Sequence, residues 1–147
     1  MTNDMLAHAV RDGIARTIAV VGLAGVALIH LLVLPGKFSE TPYLAWMYIA
    51  LIVGCFAAAA ALLRASDARA WAAAVLLPLG ALVGYTLTRT VGLPQAMGDI
   101  GNWTEPLGLA SLFVEGSLVA LACTMLAGLR VGRRHFGLPI VPLADAA

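Results

Sequence analysis

Charged residues are scarce in this chain of 147 residues: they make up 12% of it, against 61% hydrophobic residues and a mean hydropathy of +0.93. Soluble domains carry about a quarter charged residues, so the composition indicates that lipid rather than water is the solvent. The few charges sum to +1, which gives no global electrostatic attraction for a partner. No basic stripe with interleaved aromatics is present, and nucleic acid is therefore not expected as a partner.

Cysteine is equally scarce. Cys55 and Cys123 both lie inside apolar runs, with no Cys-x-x-Cys pair and no Cys/His cluster near them. This pattern argues against a disulfide framework and against a zinc site. Both residues are expected to be small buried hydrophobes.

Long apolar runs are abundant instead. A helix needs about 20 apolar residues to cross the hydrocarbon core of a bilayer, and four segments meet this requirement: residues 17–34, 42–63, 70–91 and 106–129. The first is expected to stop at Pro35-Gly36, and the second to begin with Thr41 as N-cap and Pro42 in its first turn. The sequence thus predicts an all-α integral membrane four-helix bundle, forming one domain over residues 1–147.

Basic residues are distributed unevenly between the two sides of such a bundle. Seven fall on one side: Arg11, Arg16, Arg64, Arg69, Arg130, Arg133 and Arg134. The other side holds only Lys37 and Arg89, together with four acids: Glu40, Asp99, Glu105 and Glu115. The positive-inside rule therefore predicts a multi-pass plasma membrane protein with both termini, and a tail over residues 130–147, in the cytoplasm.

Three ionisable residues lie within the predicted spans, where their desolvation is costly: His30, Arg89 and Glu115. The alternating direction of the spans places all three in the outer half of the bilayer. Glu115 is the deepest, about 13 Å below the start of its span, and must be protonated or paired. An Arg89–Glu115 ion pair would satisfy both groups. Alternatively, Arg89 extends to the headgroups and His30 bonds a backbone carbonyl.

The outer loop, residues 92–105, is too apolar for a solvated linker, and its glycines predict specific turns. It is expected either to form a lid with Trp103 folded inward or to form a short interfacial segment before the fourth span. Loop and spans together predict a polar pocket that opens outward. Its candidate residues are His30, Glu40, Tyr85, Arg89, Asp99, Asn102, Trp103, Glu105 and Glu115.

Small residues predict close helix contacts. Gly80 and Gly84 form a small-xxx-small pair in the third span, and Gly22 and Gly25 mark the first. Such faces support packing within the bundle, self-association, or contact with another membrane subunit.

Three segments resemble a group of small four-span actinobacterial membrane proteins. They are the stretch from His30 through Pro35-Gly36-Lys37-Phe38-Ser39-Glu40 to Leu44, the stretch Tyr85-Thr-Leu-Thr-Arg89-Thr-Val-Gly-Leu-Pro94, and the stretch from Asp99-Ile-Gly-Asn-Trp103-Thr-Glu105-Pro-Leu-Gly to Glu115. The resemblance covers residues 20–128. It implies the four-span architecture and implies that His30, Glu40, Arg89, Glu105 and Glu115 belong together, without implying an activity.

The favoured hypothesis is a binding or accessory protein without enzymatic activity, for a metal ion, a lipid or another membrane subunit. For a divalent cation, His30 would supply one nitrogen ligand, and Glu40, Glu105 and Glu115 would supply oxygen ligands. This spacing matches no known metal motif. A haem held by two histidines is not expected, because only His30 lies within a span.

Two further hypotheses stay open. Buried Glu, His and Arg side chains can form a relay for an ion, a proton or a small solute in an oligomeric transporter, although the inner half of the spans has few ionisable residues. A membrane enzyme acting on a lipophilic substrate could use Glu115 as general acid or base beside His30 or Tyr85. No nucleophile or phosphate-binding motif supports this last hypothesis.

Overall fold

The computed structural model describes residues 3–136, and all regular elements in that range are helical. The four long helices are α1 (Asn3–Glu40), α2 (Pro42–Arg64), α3 (Ala68–Thr90) and α4 (Pro106–Phe136), with a short 3₁₀ turn at Met97–Asp99 in the α3–α4 loop. Each long helix is long and apolar enough to cross a membrane. The all-α fold with four span-like helices is thereby confirmed.

The first and last helices extend beyond the predicted spans. α1 does not stop at Pro35-Gly36 but continues to Glu40, because a proline removes only one backbone donor from the helix. The chain turns at Thr41, whose N–H still donates to the carbonyl of Lys37 at 2.9 Å. α4 passes residue 129 and ends at Phe136. The first part of the predicted tail is therefore helical, and residues 137–147 lie outside the described residues.

The helix starts follow local chemistry. Pro42 occupies the first turn of α2 after Thr41, as predicted, but the Thr41 side chain makes no capping bond. Asp67 caps α3 by accepting hydrogen bonds from the backbone N–H groups of Arg69 and Ala70. α3 continues through Pro78, which is buried.

The helices run up and down in turn, so the bundle has two ends. The loop end carries the turn at Thr41 and the α3–α4 loop, and the terminal end carries the N-terminus and the α2–α3 connection. α1 packs against α4 through Gly22 and Gly25, where an added Cβ would lie 3.3 Å from Leu118 and from Val114. The glycines of the first span thus allow close approach between helices.

The core lies toward the terminal end and is built of small and aliphatic side chains, among them Ala19, Leu23, Cys55, Ala58, Ala74, Leu118 and Ala122. Cys55 is buried as expected, whereas Cys123 is exposed on the surface of the bundle. A polar chain closes this end. Trp71 Nε1 donates to Ser66 Oγ at 2.9 Å, Ser66 donates to Asp12 at 2.7 Å, and Asp12 pairs with Arg16 at 3.1 Å.

Candidate functional site

A cavity of about 630 Å³ opens between the helices at the loop end. Eight of the nine residues predicted for the polar pocket line it: His30, Glu40, Tyr85, Arg89, Asp99, Asn102, Glu105 and Glu115. The ninth, Trp103, lies against Tyr85 with the ring centroids 6.0 Å apart. The side chains that the sequence grouped by topology therefore surround one space.

Arg89 organises the mouth of this cavity. Its Nη2 donates to Glu105 Oε2 at 2.6 Å, its Nη1 lies 3.1 Å from Asp99 Oδ1, and its guanidinium lies 4.8 Å from the centroid of the Tyr85 ring. The predicted Arg89–Glu115 pair is wrong. Arg89 is next to the end of α3 and Glu105 directly precedes α4, so they share a level, whereas Glu115 lies about 15 Å deeper.

Lys37 is a second cation of the mouth, and it is not among the residues that the sequence predicts for the pocket. Its Nζ donates to Glu40 at 2.8 Å and lies 3.8 Å from Asp99. The Lys37 side chain reaches the cavity because α1 continues past Pro35. With the predicted helix end at Pro35-Gly36, Lys37 would have lain outside the helix. Asp99 thereby faces both Lys37 and Arg89 and links α1 to α3.

The floor of the cavity is a buried polar group formed by α1 and α4. Ser111 Oγ donates to Glu115 Oε1 at 2.6 Å, and His30 Nε2 lies 3.9 Å from the same oxygen. His30 Nδ1 donates to the carbonyl of Val26 at 2.9 Å, because a carbonyl can only accept. A neutral His30 ring therefore turns its Nε2 lone pair toward Glu115.

Glu115 is the most deeply buried ionisable group of the described lining. Its relative exposure is 1%. Among the described side chains, which exclude residues 4 and 130–136, its Oε2 has no hydrogen-bond partner, and no Lys or Arg pairs with it. A buried carboxyl oxygen without a partner is energetically costly, so this atom marks a place where an additional donor would be stabilised.

Two tyrosines of α2 extend the site and were not predicted. Tyr48 meets the His30 ring edge-on, with centroids 4.8 Å apart. Tyr43 donates from its hydroxyl to the carbonyl of Pro94 at 2.7 Å and so ties the α3–α4 loop to α2. Both lie in an apolar segment, where the sequence offers no sign of which aromatic faces inward.

The α2–α3 side of the cavity is apolar and open. At Gly54 the two helices meet, since an added Cβ would lie 2.8 Å from Leu77 Cδ2. Toward the loop end they separate: Gly80 and Gly84 line the cavity, and a Cβ at either would meet nothing within 4 Å. The close packing predicted for this pair is therefore not formed with any of the residues that the structure describes.

Exposed side chains border this opening. Met47 of α2 and Leu76 of α3 line the cavity while remaining 61% and 65% exposed. The cavity is consequently accessible sideways, between α2 and α3, from the surroundings of the bundle.

The four candidate metal ligands are not gathered at one point. Glu40 and Glu105 belong to the mouth, while His30 and Glu115 form the floor. In the part of the chain that the structure describes, no group of three or more His, Cys, Asp or Glu side chains could hold a metal ion. The arrangement thus gives the metal hypothesis no support. The cavity instead offers a ligand hydrogen-bonding groups and charged groups next to apolar side chains.

Comparison with known proteins adds no further information on this site. No protein family, curated protein or solved structure matches the chain.

Proposed function

We propose that this is a multi-pass plasma membrane protein that binds a small amphipathic molecule in the cavity. The observation that carries the proposal is the combination, in one space, of a charged mouth, apolar sides and a buried polar floor. Its volume of about 630 Å³ lies in the range of small-molecule sites, about 300–1,000 Å³. The protein would act as a binding or accessory protein.

The open α2–α3 side supports a ligand that arrives through the bilayer. Apolar side chains such as Leu51, Leu77 and Ala81 line this side, and a lipophilic molecule dissolved in the hydrocarbon can reach them directly. Its polar group would then face either the mouth or the Glu115 floor. The binding hypothesis names a metal ion, a lipid or another membrane subunit as the ligand. The open apolar side supports a lipid-like molecule.

The apolar interior beneath the cavity floor favours binding over conduction. Between Glu115 and the Trp71–Ser66–Asp12 chain, the described interior consists of apolar side chains, among them Leu23, Cys55, Ala74, Leu118 and Ala122. An ion or proton crossing there would lack polar partners. No specific observation among the described residues supports transport or enzymatic activity.

We further propose that the loop end faces the outside and that both termini lie in the cytoplasm. Arg11, Arg16, Arg64 and Arg69 belong to the terminal end, while the loop end has Lys37 and Arg89, both in contact with carboxylates. This asymmetry agrees with the positive-inside rule. Molecules from the outer leaflet would then have access to the cavity.

Photolabelling tests the binding proposal. Purified protein in lipid nanodiscs is irradiated with the benzyl alcohol derivative of an aryl trifluoromethyl diazirine, and labelled residues are located by mass spectrometry. We expect labelling at Leu77 and Ala81, in the cavity, and at Phe56, which is 63% exposed on the bundle surface.

Filling the cavity provides the decisive comparison. Gly84→Leu places a side chain in the open space, and the replacement of a helical glycine also favours the helix. It should reduce labelling at Leu77 and Ala81 severalfold and leave Phe56 unchanged. Gly128→Leu is the matched control, because Gly128 also has free space but does not line the cavity. Undiminished cavity labelling in Gly84→Leu would reject the proposal.

A further inference from the structure

The charges that line the cavity do not balance. Two cations, Lys37 and Arg89, face four acids: Glu40, Asp99, Glu105 and Glu115. With His30 neutral, two positive charges face four negative ones when Glu115 is ionised, a formal charge of −2, and three negative ones when Glu115 is protonated, a formal charge of −1. Charges inside a low-dielectric region interact more strongly than in water, so this excess acts on any charged ligand.

Both cations are already engaged at the mouth. Arg89 contacts Asp99 and Glu105, and Lys37 contacts Glu40 and Asp99. An anionic ligand would have to displace one of these carboxylates. Among the described residues of the lining, an anion therefore finds no lysine or arginine that is not already paired with a carboxylate, and the donors left without a partner are Arg89 Nε and the Tyr85 hydroxyl.

The acid that lacks a counter-charge is Glu115 at the floor. It is 1% exposed, accepts one hydrogen bond from Ser111, and has an Oε2 without a partner in the described part of the chain. Around it the cavity turns apolar, with Leu51, Leu77 and Ala81 in its lining. A single positive donor carried on an apolar body would match these features together.

We propose that the ligand of the cavity is a lipophilic organic cation whose protonated amine binds the Glu115 carboxylate while its apolar body occupies the α2–α3 side. This inference rests on the binding function proposed above. A protonated amine supplies both the missing hydrogen-bond donor and the missing counter-charge, and charge-assisted hydrogen bonds of this kind are the stronger ones. Tyr48 adds an aromatic ring near the same floor, against His30.

Three photoreactive probes that share one aryl diazirine but carry different head groups test the proposal. The benzylamine, benzyl alcohol and benzoic acid derivatives share the same aryl diazirine body, and near neutral pH their head groups are positive, neutral and negative, respectively. We expect the amine to label Leu77 and Ala81 at concentrations about tenfold lower than the alcohol requires, the effect of one charge-assisted hydrogen bond. The acid should label these residues least.

Variants of Glu115 test whether this residue causes the preference for the amine probe. Glu115→Gln should lower labelling by the amine to the level of labelling by the alcohol. Glu115→Asp keeps the carboxylate and should therefore retain stronger labelling by the amine. Asp67→Asn is the control: Asp67 caps α3 at the terminal end and does not line the cavity, and asparagine is an equally good N-cap, so the preference should persist. Helical content and elution volume of each variant confirm that it is folded.

The outcomes separate this inference from the binding function. If no probe labels the cavity above the Gly84→Leu background, the binding function itself fails. If amine, alcohol and acid label it equally, or the acid labels it best, the cavity binds molecules but the cation proposal is wrong. The same holds if Glu115→Gln keeps the full preference for the amine.

Discussion

Arg89 and Glu105 join the end of α3 to the start of α4 through a hydrogen bond of 2.6 Å between Nη2 and Oε2. The Arg89 side chain is only 6% exposed, while Glu105 is 37% exposed. A charge-assisted bond held by a buried guanidinium is stronger than an ion pair at the surface. This contact therefore fixes the mouth of the cavity and the path of the loop across it.

A double-mutant cycle should detect this bond. We expect Arg89→Ala and Glu105→Ala to show a coupling free energy of unfolding of about 1.5–3 kcal/mol, measured by denaturation with sodium dodecyl sulfate in mixed micelles. The same cycle on Lys37 and Glu40, whose carboxylate is 62% exposed, should give less than about 1 kcal/mol. Equal coupling in the two cycles would contradict the prediction.

Gly108 is required because Tyr85 leaves no room for a larger residue. A Cβ at Gly108 would lie 2.7 Å from Tyr85 Cε2 and 2.8 Å from its hydroxyl oxygen. Gly108→Ala must displace a ring that also contacts Arg89 and Trp103, and should destabilise the fold by about 1–3 kcal/mol.

The same denaturation assay checks this prediction. Combining Gly108→Ala with Tyr85→Leu should cost less than the sum of the two single changes, because the clash is then removed. Gly128→Ala, with free space around its Cβ, should be neutral or slightly stabilising. An additive double variant would argue against the steric explanation.

Gly92 begins the α3–α4 loop in a left-handed conformation. Its φ is +74°, and an added Cβ would lie 2.6 Å from Met97 Sδ. Gly92→Ala should lower the unfolding free energy by about 1–2 kcal/mol from the backbone conformation alone. Gly98→Ala, in the same loop but without a positive φ or a neighbour within 4 Å, should have a much smaller effect. Comparable losses in both variants would contradict this explanation.

Cysteine labelling tests the proposed orientation. In a Cys123→Ala background, where the remaining Cys55 is buried, we introduce Asn102→Cys in the loop or Ala65→Cys in the α2–α3 connection; both positions are exposed. A membrane-impermeant maleimide should label Asn102→Cys in intact cells and Ala65→Cys only after permeabilisation. The opposite pattern would reverse the proposed topology.

Much of the site could be predicted from where each polar residue lies along its span. His30, Arg89 and Glu115 were grouped because alternating spans bring them to one end, and all three line the cavity. The sequence does not point to Lys37, because Pro35-Gly36 predicts a helix end and a single proline does not reveal whether the helix continues. Tyr48 was not selected because an apolar segment shows no inward face.

Four helices and their alternation follow from the apolar pattern alone, because apolar stretches of about 20 residues must satisfy their backbone hydrogen bonds internally and short connections reverse the chain. The pairing of Arg89 with Glu105 and Asp99, and not with Glu115, is visible only in the folded bundle. The same is true of the cavity that Gly80 and Gly84 border. Pairing depends on the rotation and level of each helix, and a cavity on the distance between helices. Neither quantity is set by any one segment.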